Sequence, residues 1–281
     1  MMFTILQKEH LNPTVVRMVI YAPLVAAKAQ PGQFVILRVD SDGERIPLTV
    51  ADYDRDAGTV TIIFQTVGAT TLALSHLNVG DAISDFVGPL GRATETDGLR
   101  RVAVIAGGVG CAIALPVAKK LHDNGVVVHC ICGFRNADMV ILQDEFAASG
   151  ERLITMTDDG SHGRKGLVTD ALRGLIEAGE KYDEVIAIGP LPMMKFVSRL
   201  TAEYGIKTVV SMNPIMIDGT GMCGGCRLSV GGETKFACVD GPEFDGHQVD
   251  FDEAIQRTRL YQEQEKHAYE RTCNLLNKEV Q

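Results

Sequence analysis

Four residues with metal-binding side chains lie close together in a glycine-rich stretch. Two residues separate Cys223 from Cys226, and eleven separate Cys226 from Cys238. Four residues separate Asp218 from Cys223. Plant-type 2Fe–2S ferredoxins place their ligands as Cys-x4-Cys-x2-Cys with a distant fourth cysteine. The spacing therefore predicts a 2Fe–2S cluster, with the Asp218 carboxylate as a hard oxygen donor in the first ligand position.

Three alternative interpretations of this stretch stay open. A structural zinc ion could take the three cysteines together with His247. The thiols could also be unliganded in a reducing compartment. Asp218 could cap the glycine turn while His247 or another group completes the site. The remaining cysteines have no ligand spacing and are predicted to be buried or incidental: Cys111, Cys130, Cys132 and Cys273.

A second group of residues has the chemistry to hold a flavin dinucleotide. Arg45 and Thr49 lie four positions apart on a predicted strand, so their side chains share one face. The guanidinium can pair with a diphosphate while the Thr49 hydroxyl bonds the edge of a flavin ring. Pro47 and Leu48 lie between them. An ordinary strand with a surface arginine has the same pattern, so both interpretations stay open.

A turn at residues 67–71 precedes a predicted helix. Thr70 and Thr71 can offer hydroxyl groups to an anion. The turn at Gly68 leaves the N–H groups of a helix N-terminus free for the same anion. An ordinary helix N-cap would have the same residues. We assign this turn to the diphosphate of the same flavin.

A glycine-rich turn connects an apolar strand with a helix in the second half of the chain. Its residues are Gly107, Gly108, Val109 and Gly110. Without side chains, such a turn lets a diphosphate approach the backbone and the N-terminus of the next helix. The turn departs from the usual Gly-x-Gly-x-x-Gly pattern, since Ile113 stands at the third glycine position. It predicts a nucleotide site, with a purely structural tight turn as the alternative.

Further candidate ligand-binding residues follow other predicted strands of the same sheet. Asp158 and Asp159 follow one strand, and Gly189 and Pro190 follow another. Arg135 stands at the end of a third strand, where no acid is present. Because open parallel sheets bind ligands at the carboxyl ends of their strands, we expect a nicotinamide nucleotide here. The lack of a clear basic cluster for a 2′-phosphate favours NAD(H), although Arg135 leaves NADP(H) open.

Two kinds of fold must position these motifs. Up to about residue 98, short segments rich in Val, Ile, Phe and Thr alternate with turn residues, as in β strands. These predicted strands are residues 3–7, 15–21, 33–39, 46–51, 59–67 and 81–87. From residue 101, apolar strands alternate with helical stretches, which is typical of a parallel sheet covered on both faces. The strands predicted there are 102–106, 126–132, 153–157, 185–188 and 208–212, and the helices are 112–123, 141–148, 168–178 and 192–203.

The predicted fold is a β barrel plus an α/β domain. A six-stranded antiparallel FAD-binding barrel over residues 1–98 precedes a five-stranded parallel nucleotide-binding sheet over residues 99–214. Residues 215–249 form the predicted cluster-binding segment. Residues 250–281 are highly charged with sparse apolar positions. That pattern indicates a helical tail that serves as a subunit interface rather than as part of this chain's core.

Charge and hydropathy exclude other classes of protein. The 281 residues suffice for about two domains. With 27 Lys and Arg against 36 Asp and Glu the net charge is −9, so a nucleic-acid-binding surface has no electrostatic basis. The uncharged stretch 102–118 contains glycines and a proline, which favours a strand, turn and helix over a membrane span. The N-terminus becomes charged too early for a signal peptide, so we expect a cytoplasmic protein.

The order of barrel, α/β domain and cysteine loop resembles the ferredoxin reductase-like flavoprotein superfamily. Within it, the chain resembles the electron-transfer subunits of dihydroorotate dehydrogenase and, more closely, the small subunits of NADH-dependent reduced ferredoxin:NADP oxidoreductases. The resemblance rests on residues 45–49, 88–91, 107–110, 157–161 and 189–190 and on the cysteine loop. It implies FAD on the barrel, NAD(H) on the α/β domain and a 2Fe–2S cluster near the flavin.

The resemblance also implies a partner, a larger flavin- and iron–sulfur-containing subunit in a heterodimer, with ferredoxin reached through the complex. Subunits of the dihydroorotate type carry four cysteines in the loop, whereas Asp218 replaces the first one here and the acidic tail is additional. Both differences favour the ferredoxin:NADP type. The alternatives are the dihydroorotate type and a zinc-stapled module without enzymatic activity. Since a hydride carries two electrons and a cluster accepts one, a flavin must convert between them, and we predict no catalytic acid or base.

Overall fold

A computed structural model describes residues 3–279, with side chains as far as residue 274. The first unit is an antiparallel sheet with two short helices. In chain order its elements are β1 (Phe3–Asn12), β2 (Val15–Tyr21), α1 (Pro23–Ala26), β3 (Phe34–Arg38), β4 (Ile46–Asp54), β5 (Thr59–Gln65), α2 (Ala69–His76), β6 (Ala82–Ile83) and β7 (Asp85–Leu90). The strand order is β6-β1-β2-β5-β4-β3-β7. Only Ser84 separates the two edge strands along the chain, so the sheet curls into a nearly closed barrel.

Alternating burial explains the barrel strands. On β2, Val16, Met18 and Ile20 are fully buried, whereas Arg17 and Val19 between them are half-buried. Successive side chains of a strand point to opposite faces, so one face of β2 fills the barrel interior. Its register with β5 places these residues opposite Phe64, Ile62 and Val60, which are also buried, so the same face is inward on both strands.

The second unit is a doubly wound α/β sheet. Its elements are β8 (Arg101–Gly107), α3 (Gly110–Asp123), β9 (Val127–Phe134), α4 (Gln143–Ala147), β10 (Arg152–Thr157), β11 (Arg164–Lys165), α5 (Val168–Glu177), β12 (Glu184–Ile188), α6 (Leu191–Glu203) and β13 (Thr208–Ser211). All neighbouring pairs among these strands are parallel. A 3₁₀ turn at Ala137–Met139 follows β9.

The two faces of this sheet are covered by different helices. On β8, Ala103 and Ile105 pack in a core with residues of α5 and α6. The alternate residues Val102 and Val104 pack in a second core with residues of α3 and α4. Burial on both faces explains why β8 is a continuous apolar run rather than an alternating one.

Strand order places a crevice at the centre of the sheet. The order is β11-β10-β9-β8-β12-β13, so the chain leaves β8 to one side first and later returns to its other side at β12. The loops after β8 and β12 therefore diverge at their carboxyl ends. Ligands of open α/β sheets bind in this crevice.

The remaining elements return to the second sheet. They are β14 (Arg227–Val230), β15 (Glu233–Phe236), β16 (Glu243–Asp245), α7 (Phe251–Thr258) and α8 (Gln262–Glu279). The strands β14 and β15 form a hairpin, whereas β16 pairs antiparallel with β13 and becomes the edge strand of the α/β sheet. The segment predicted to bind the cluster is thus joined to the nucleotide-binding sheet.

The C-terminal helices correct one expectation. Phe251 and Ala254 of α7 are buried in the core formed with α5 and α6. The expectation that the whole of residues 250–281 lies outside this chain's core is therefore wrong for α7. The physical reason is that two apolar residues one helical turn apart suffice to anchor a short helix, although they leave little periodic signal. The longer helix α8 packs against α2 of the barrel.

The predicted fold class is confirmed, and the strand counts are corrected. Within residues 3–279 each of the two main sheets has seven strands, not six and five. The additional strands are short, because β6 and β11 span two residues each and β16 spans three. Across the same described residues, no helix has both the length and the apolar character that crossing a membrane requires.

Candidate functional site

One large cleft joins the barrel, the α/β sheet and the C-terminal helices. Its volume is about 1870 Å³, well above the range typical of a site for one small ligand. All of the predicted cofactor-binding residues except Asp159 line this cleft. The motifs that the sequence suggests separately are therefore brought together by the fold.

The three glycines of the turn after β8 have different surroundings. A Cβ on Gly107 would lie 2.5 Å from Met193 Sδ, and one on Gly110 would lie 2.5 Å from the carbonyl oxygen of Ile188. A Cβ on Gly108, at φ +55°, would meet no atom of the described chain within 4 Å. Gly107 and Gly110 thus allow close packing, whereas Gly108 leaves an open backbone surface in the cleft. A diphosphate fits such a surface at the start of α3.

The barrel contributes the opposite wall. Pro47, Leu48 and Thr49 lie on β4 and are half-buried. Thr49 pairs with Phe34 of the neighbouring strand β3. Arg45 lies just before β4, at the cleft surface, and within the described residues no carboxylate forms an ion pair with it. Its guanidinium is therefore available to an anionic ligand.

One part of the turn before α2 is held by hydrogen bonds, and another part is open to the cleft. The Thr71 hydroxyl accepts hydrogen bonds from the backbone N–H groups of Val67, at 3.1 Å, and Gly68, at 3.0 Å, so it holds the turn together. A Cβ on Gly68 would meet no described atom within 4 Å. The first N–H groups of α2 are left for a ligand. The Thr70 hydroxyl donates to Glu44 Oε2 at 3.3 Å.

The loop after β10 separates the two adjacent aspartates. The Asp158 N–H donates to the carbonyl oxygen of Phe134 at 3.1 Å, which places Asp158 at the cleft between the ends of β9 and β10. Asp159 instead accepts from the hydroxyl and the N–H of Ser161, at 2.6 and 2.9 Å. These bonds lower the pKa of Asp159. Ser161 Oγ in turn accepts from the Ala137 N–H at 2.8 Å, so Asp159 positions the loop.

The first predicted ligand of the cysteine loop is bound within its own turn. Asp218 Oδ2 accepts from the Thr220 N–H at 2.9 Å, from the Thr220 hydroxyl and from the Met222 N–H at 3.3 Å. The bonds from Thr220 are the main reason that the pKa of Asp218 is lowered, and the positive charge of Arg45 adds to the effect. The Asp218 carboxylate therefore interacts electrostatically with Arg45, which belongs to the proposed flavin-binding surface of residues 45–49, the flavin wall.

The three cysteines differ in exposure. Cys226 and Cys238 are both buried. Burial raises the pKa of Cys238 to about 11. Cys223 is exposed, and its sulfur accepts from the Gly225 N–H at 3.5 Å. Backbone N–H groups that point at sulfur are a feature of iron–sulfur loops.

The donor set fits an iron–sulfur cluster by chemistry, although its members are not gathered around one point. Among the described residues, no three Cys, His, Asp or Glu side chains are close enough to hold a metal ion. The zinc alternative has less support, because His247 Nε2 lies 3.0 Å from Thr201 Oγ1 on α6. The His247 side chain is therefore hydrogen-bonded to α6 and is not grouped with the cysteines.

The cysteine loop lies directly on the barrel. A Cβ on Gly219, at φ +83°, would be 2.7 Å from Leu90 Cδ1 and 3.1 Å from Ile36 Cγ1. Ile36 pairs with Pro47 of β4. One strand thus separates the proposed flavin wall from the loop that begins at Asp218.

Some residues of the cleft are not among those that the sequence predicts. Ser211 and Met212 lie at the carboxyl end of β13, and the same rule that selects Gly189 could have selected them. Residues of α8 also line the cleft, and their polar sequence carries no signal for this role.

The sequence is similar to one family model and to several known proteins. Residues 213–250 match the family model described as the iron-sulfur cluster binding domain of dihydroorotate dehydrogenase B. A Thermotoga maritima protein, described as a dihydroorotate dehydrogenase B (NAD(+)) electron transfer subunit homolog, is 48% identical over 90% of this chain and 89% of its own length. A Clostridium beijerinckii protein, known as an uncharacterized protein in the adh 3′ region, is 50% identical over 94% of this chain and 92% of its own length.

Comparisons of the structure lead to the same group. A chain in the structure of the NADH-dependent reduced ferredoxin-NADP oxidoreductase has a TM-score of 0.91 and 45% identity, over 96% of this chain and 98% of that chain. A ferredoxin NADP+ reductase from Neisseria gonorrhoeae, solved with FAD and NADP, shares the fold at a TM-score of 0.58 and 17% identity, over 73% of this chain and 91% of that chain. Fold and site together define a ferredoxin reductase-like flavoprotein with an iron–sulfur loop. The chain belongs to the family of dihydroorotate dehydrogenase B electron-transfer subunits and their homologs.

The comparisons confirm the resemblance, the fold class and the electron-transfer role predicted from the sequence. They also confirm FAD, a nicotinamide nucleotide and an iron–sulfur cluster as the cofactor set. The individual ligand residues stay predictions.

Proposed function

We propose that this chain passes electrons between NAD(H), FAD and a 2Fe–2S cluster bound to its own residues, as the small subunit of a complex with a larger flavin- and iron–sulfur-containing subunit. The observation that carries the proposal is the placement of Gly219 against Ile36, whose strand partner is Pro47. This contact puts the cysteine loop beside the flavin wall. The glycine turn lies in the same cleft.

The flavin site is built from charge and backbone donors. Arg45 and the free N–H groups at the start of α2 would bind the diphosphate, and Thr49 would bond the ring edge. A bound flavin would supply the conversion between the two electrons of a hydride and the single electrons that a cluster accepts. The chain's own part is to bind and orient these groups, and the role assigned here needs no acid or base from the protein.

The nicotinamide nucleotide would enter at the crevice between β8 and β12. Gly108 would accept the diphosphate, and Asp158, Gly189 and Pro190 would line the rest of the path. We propose NAD(H) rather than NADP(H). Arg135 lines the same cleft and is the residue through which a 2′-phosphate would bind if this choice were wrong.

The cluster would be held by Asp218, Cys223, Cys226 and Cys238. Two changes would assemble this set: Asp218 would exchange its bonds to Thr220 for a metal bond, and exposed Cys223 would turn toward the buried pair. A loop rich in glycine allows such local rearrangement.

The complex would be of the ferredoxin:NADP type, with ferredoxin reached through the larger subunit. The aspartate at the first ligand position and the 45% identity over 96% of the chain to a chain of that complex support this choice over the dihydroorotate type.

Metal and flavin analysis of the purified full-length chain tests the proposal. Flavin, iron, sulfide and zinc are quantified on one sample, and the anaerobic protein is then titrated with NADH and NADPH. We expect FAD, two iron atoms and two sulfides per chain, with visible absorbance that NADH bleaches at lower concentration than NADPH. Zinc without flavin would favour a structural module instead.

Capture of the partner from native cells, followed by assays of ferredoxin and dihydroorotate, distinguishes the two types of complex.

A further inference from the structure

The C-terminal helix α8 lies on the barrel rather than projecting from it. Its half-buried residues share one face of the helix and are Ala268, Tyr269, Thr272 and Cys273. The element that α8 packs against is α2. Most of its other described residues are exposed, and the helix is strongly polar. Among the described residues, the main contact that holds the helix in place is therefore the one with α2.

The space beside α8 is the large cleft. Lys266 and Tyr269 line it together with Gly68 and Thr70 at the start of α2 and with Arg45. The N-terminal half of α8 and the N-terminus of α2 thus form neighbouring parts of one wall.

The order of groups along a flavin dinucleotide determines what lies next to α8. The ring is assigned to β4 at Pro47 and Thr49, and the diphosphate to Arg45 and the start of α2. The adenosine continues beyond the diphosphate, on the side away from the ring. The helix α8 contacts α2 and lines the cleft beside the start of α2.

We propose that α8 is part of the flavin site, where Tyr269 covers the adenosine and Lys266 adds a positive charge beside the diphosphate. The inference rests on the proposed flavin site in this cleft. A tyrosine ring offers a flat apolar surface for a base, and an ammonium group attracts phosphate. Contact with the flavin would in turn bury part of α8, whose polar sequence offers few apolar side chains for packing.

Flavin affinity in full-length variants tests the proposal. FAD is removed, and its rebinding is followed by fluorescence for wild type, Lys266→Ala, Tyr269→Ala and the double variant. Arg271→Ala is the matched control, because Arg271 is an exposed cation on the same helix that does not line the cleft. We expect the dissociation constant to rise roughly tenfold for each cleft variant, and not for the control. Hydrogen exchange of residues 262–274 should be slower with FAD than without it in wild type.

The possible results distinguish a failure of the proposed function from a failure of the role proposed for α8. If wild type binds no flavin, the proposed function itself fails. If wild type binds FAD and the cleft variants bind it equally well, with unchanged exchange in α8, only the role of α8 is overturned. Weakened association with the partner subunit at unchanged FAD affinity would likewise overturn it and would make α8 the subunit interface.

Discussion

Gly110 lies against the main-chain carbonyl oxygen of Ile188, so closely that a Cβ on Gly110 would be 2.5 Å from that oxygen. The contact joins the first residue of α3 to the last residue of β12. It brings the N-terminus of α3 and the loop after β12 to the same crevice. Close packing here and an open surface at Gly108 are both parts of the proposed nucleotide site.

The glycine turn predicts two different mutant phenotypes. Gly108→Val should raise the NADH concentration needed to bleach the flavin at least roughly tenfold, because a side chain would enter the space proposed for the diphosphate. Gly110→Ala should instead lower the free energy of unfolding by roughly 1–3 kcal/mol, because its Cβ meets backbone. Anaerobic NADH titration and thermal unfolding measure the two effects. Bleaching of Gly108→Val at the wild-type concentration would show that the nucleotide binds elsewhere.

The flavin wall predicts a specific role for Arg45. Arg45→Ala should weaken FAD binding by roughly 1.5–3 kcal/mol without unfolding the chain, since it removes a charge-assisted bond to phosphate. Arg55→Ala is the control, because Arg55 lies over the Tyr53 ring, 4.7 Å from its centre, outside the cleft. Flavin content and a fluorescence-based dissociation constant are measured for both. Equal affinity in the two variants would remove Arg45 from the site.

The cysteine loop predicts that Asp218 is a cluster ligand. Asp218→Cys should retain a cluster with altered optical and paramagnetic spectra, because a thiolate replaces an oxygen on one iron. Asp218→Ala should make the cluster labile. Asp240→Ala serves as control, because Asp240 caps the backbone at Phe236 with a bond of 2.8 Å and is not a proposed ligand. Wild-type spectra in both Asp218 variants would leave Asp218 as a capping residue of its turn.

The junction of the two domains predicts a pH effect on stability. Burial raises the pKa of Glu243 to about 7, although the hydrogen bond from the Thr94 hydroxyl opposes this. The folded state therefore holds a proton that the unfolded chain, with an ordinary pKa near ~4.3, has lost. The stability from this group is present below pH ~4.3 and is lost as the pH rises through about 7.

Glu243→Gln removes that dependence. Its melting temperature should therefore exceed that of wild type at pH 8 by more than it does at pH 5. Glu263→Gln, at an exposed position, is the control. Parallel curves for wild type and Glu243→Gln from pH 5 to 8 would contradict the assignment.

Local sequence determined most of the regular elements. The strand predicted over residues 15–21 has the same bounds as β2, because β-branched and alternating residues suit a half-buried strand. The apolar runs 102–106 and 185–188 likewise lie within β8 and β12. The glycine turn is also evident from the sequence, because three glycines between an apolar strand and a helix form a recognisable local pattern. Short strands such as β11 and β16 have too few residues to show an alternating hydrophobic pattern. They form only because a neighbouring strand pairs with them.

Within the site, the sequence identified the types of residue and the fold decided their individual roles. Three glycines look alike in the sequence, yet only Gly108 of the three faces open space. Asp158 and Asp159 are neighbours in the chain, but Asp159 is turned toward Ser161. The tail has a charged sequence, yet Phe251 is buried. The reason is general: composition and spacing express what a side chain can bind, whereas its actual neighbours come from distant segments that only tertiary packing brings within contact.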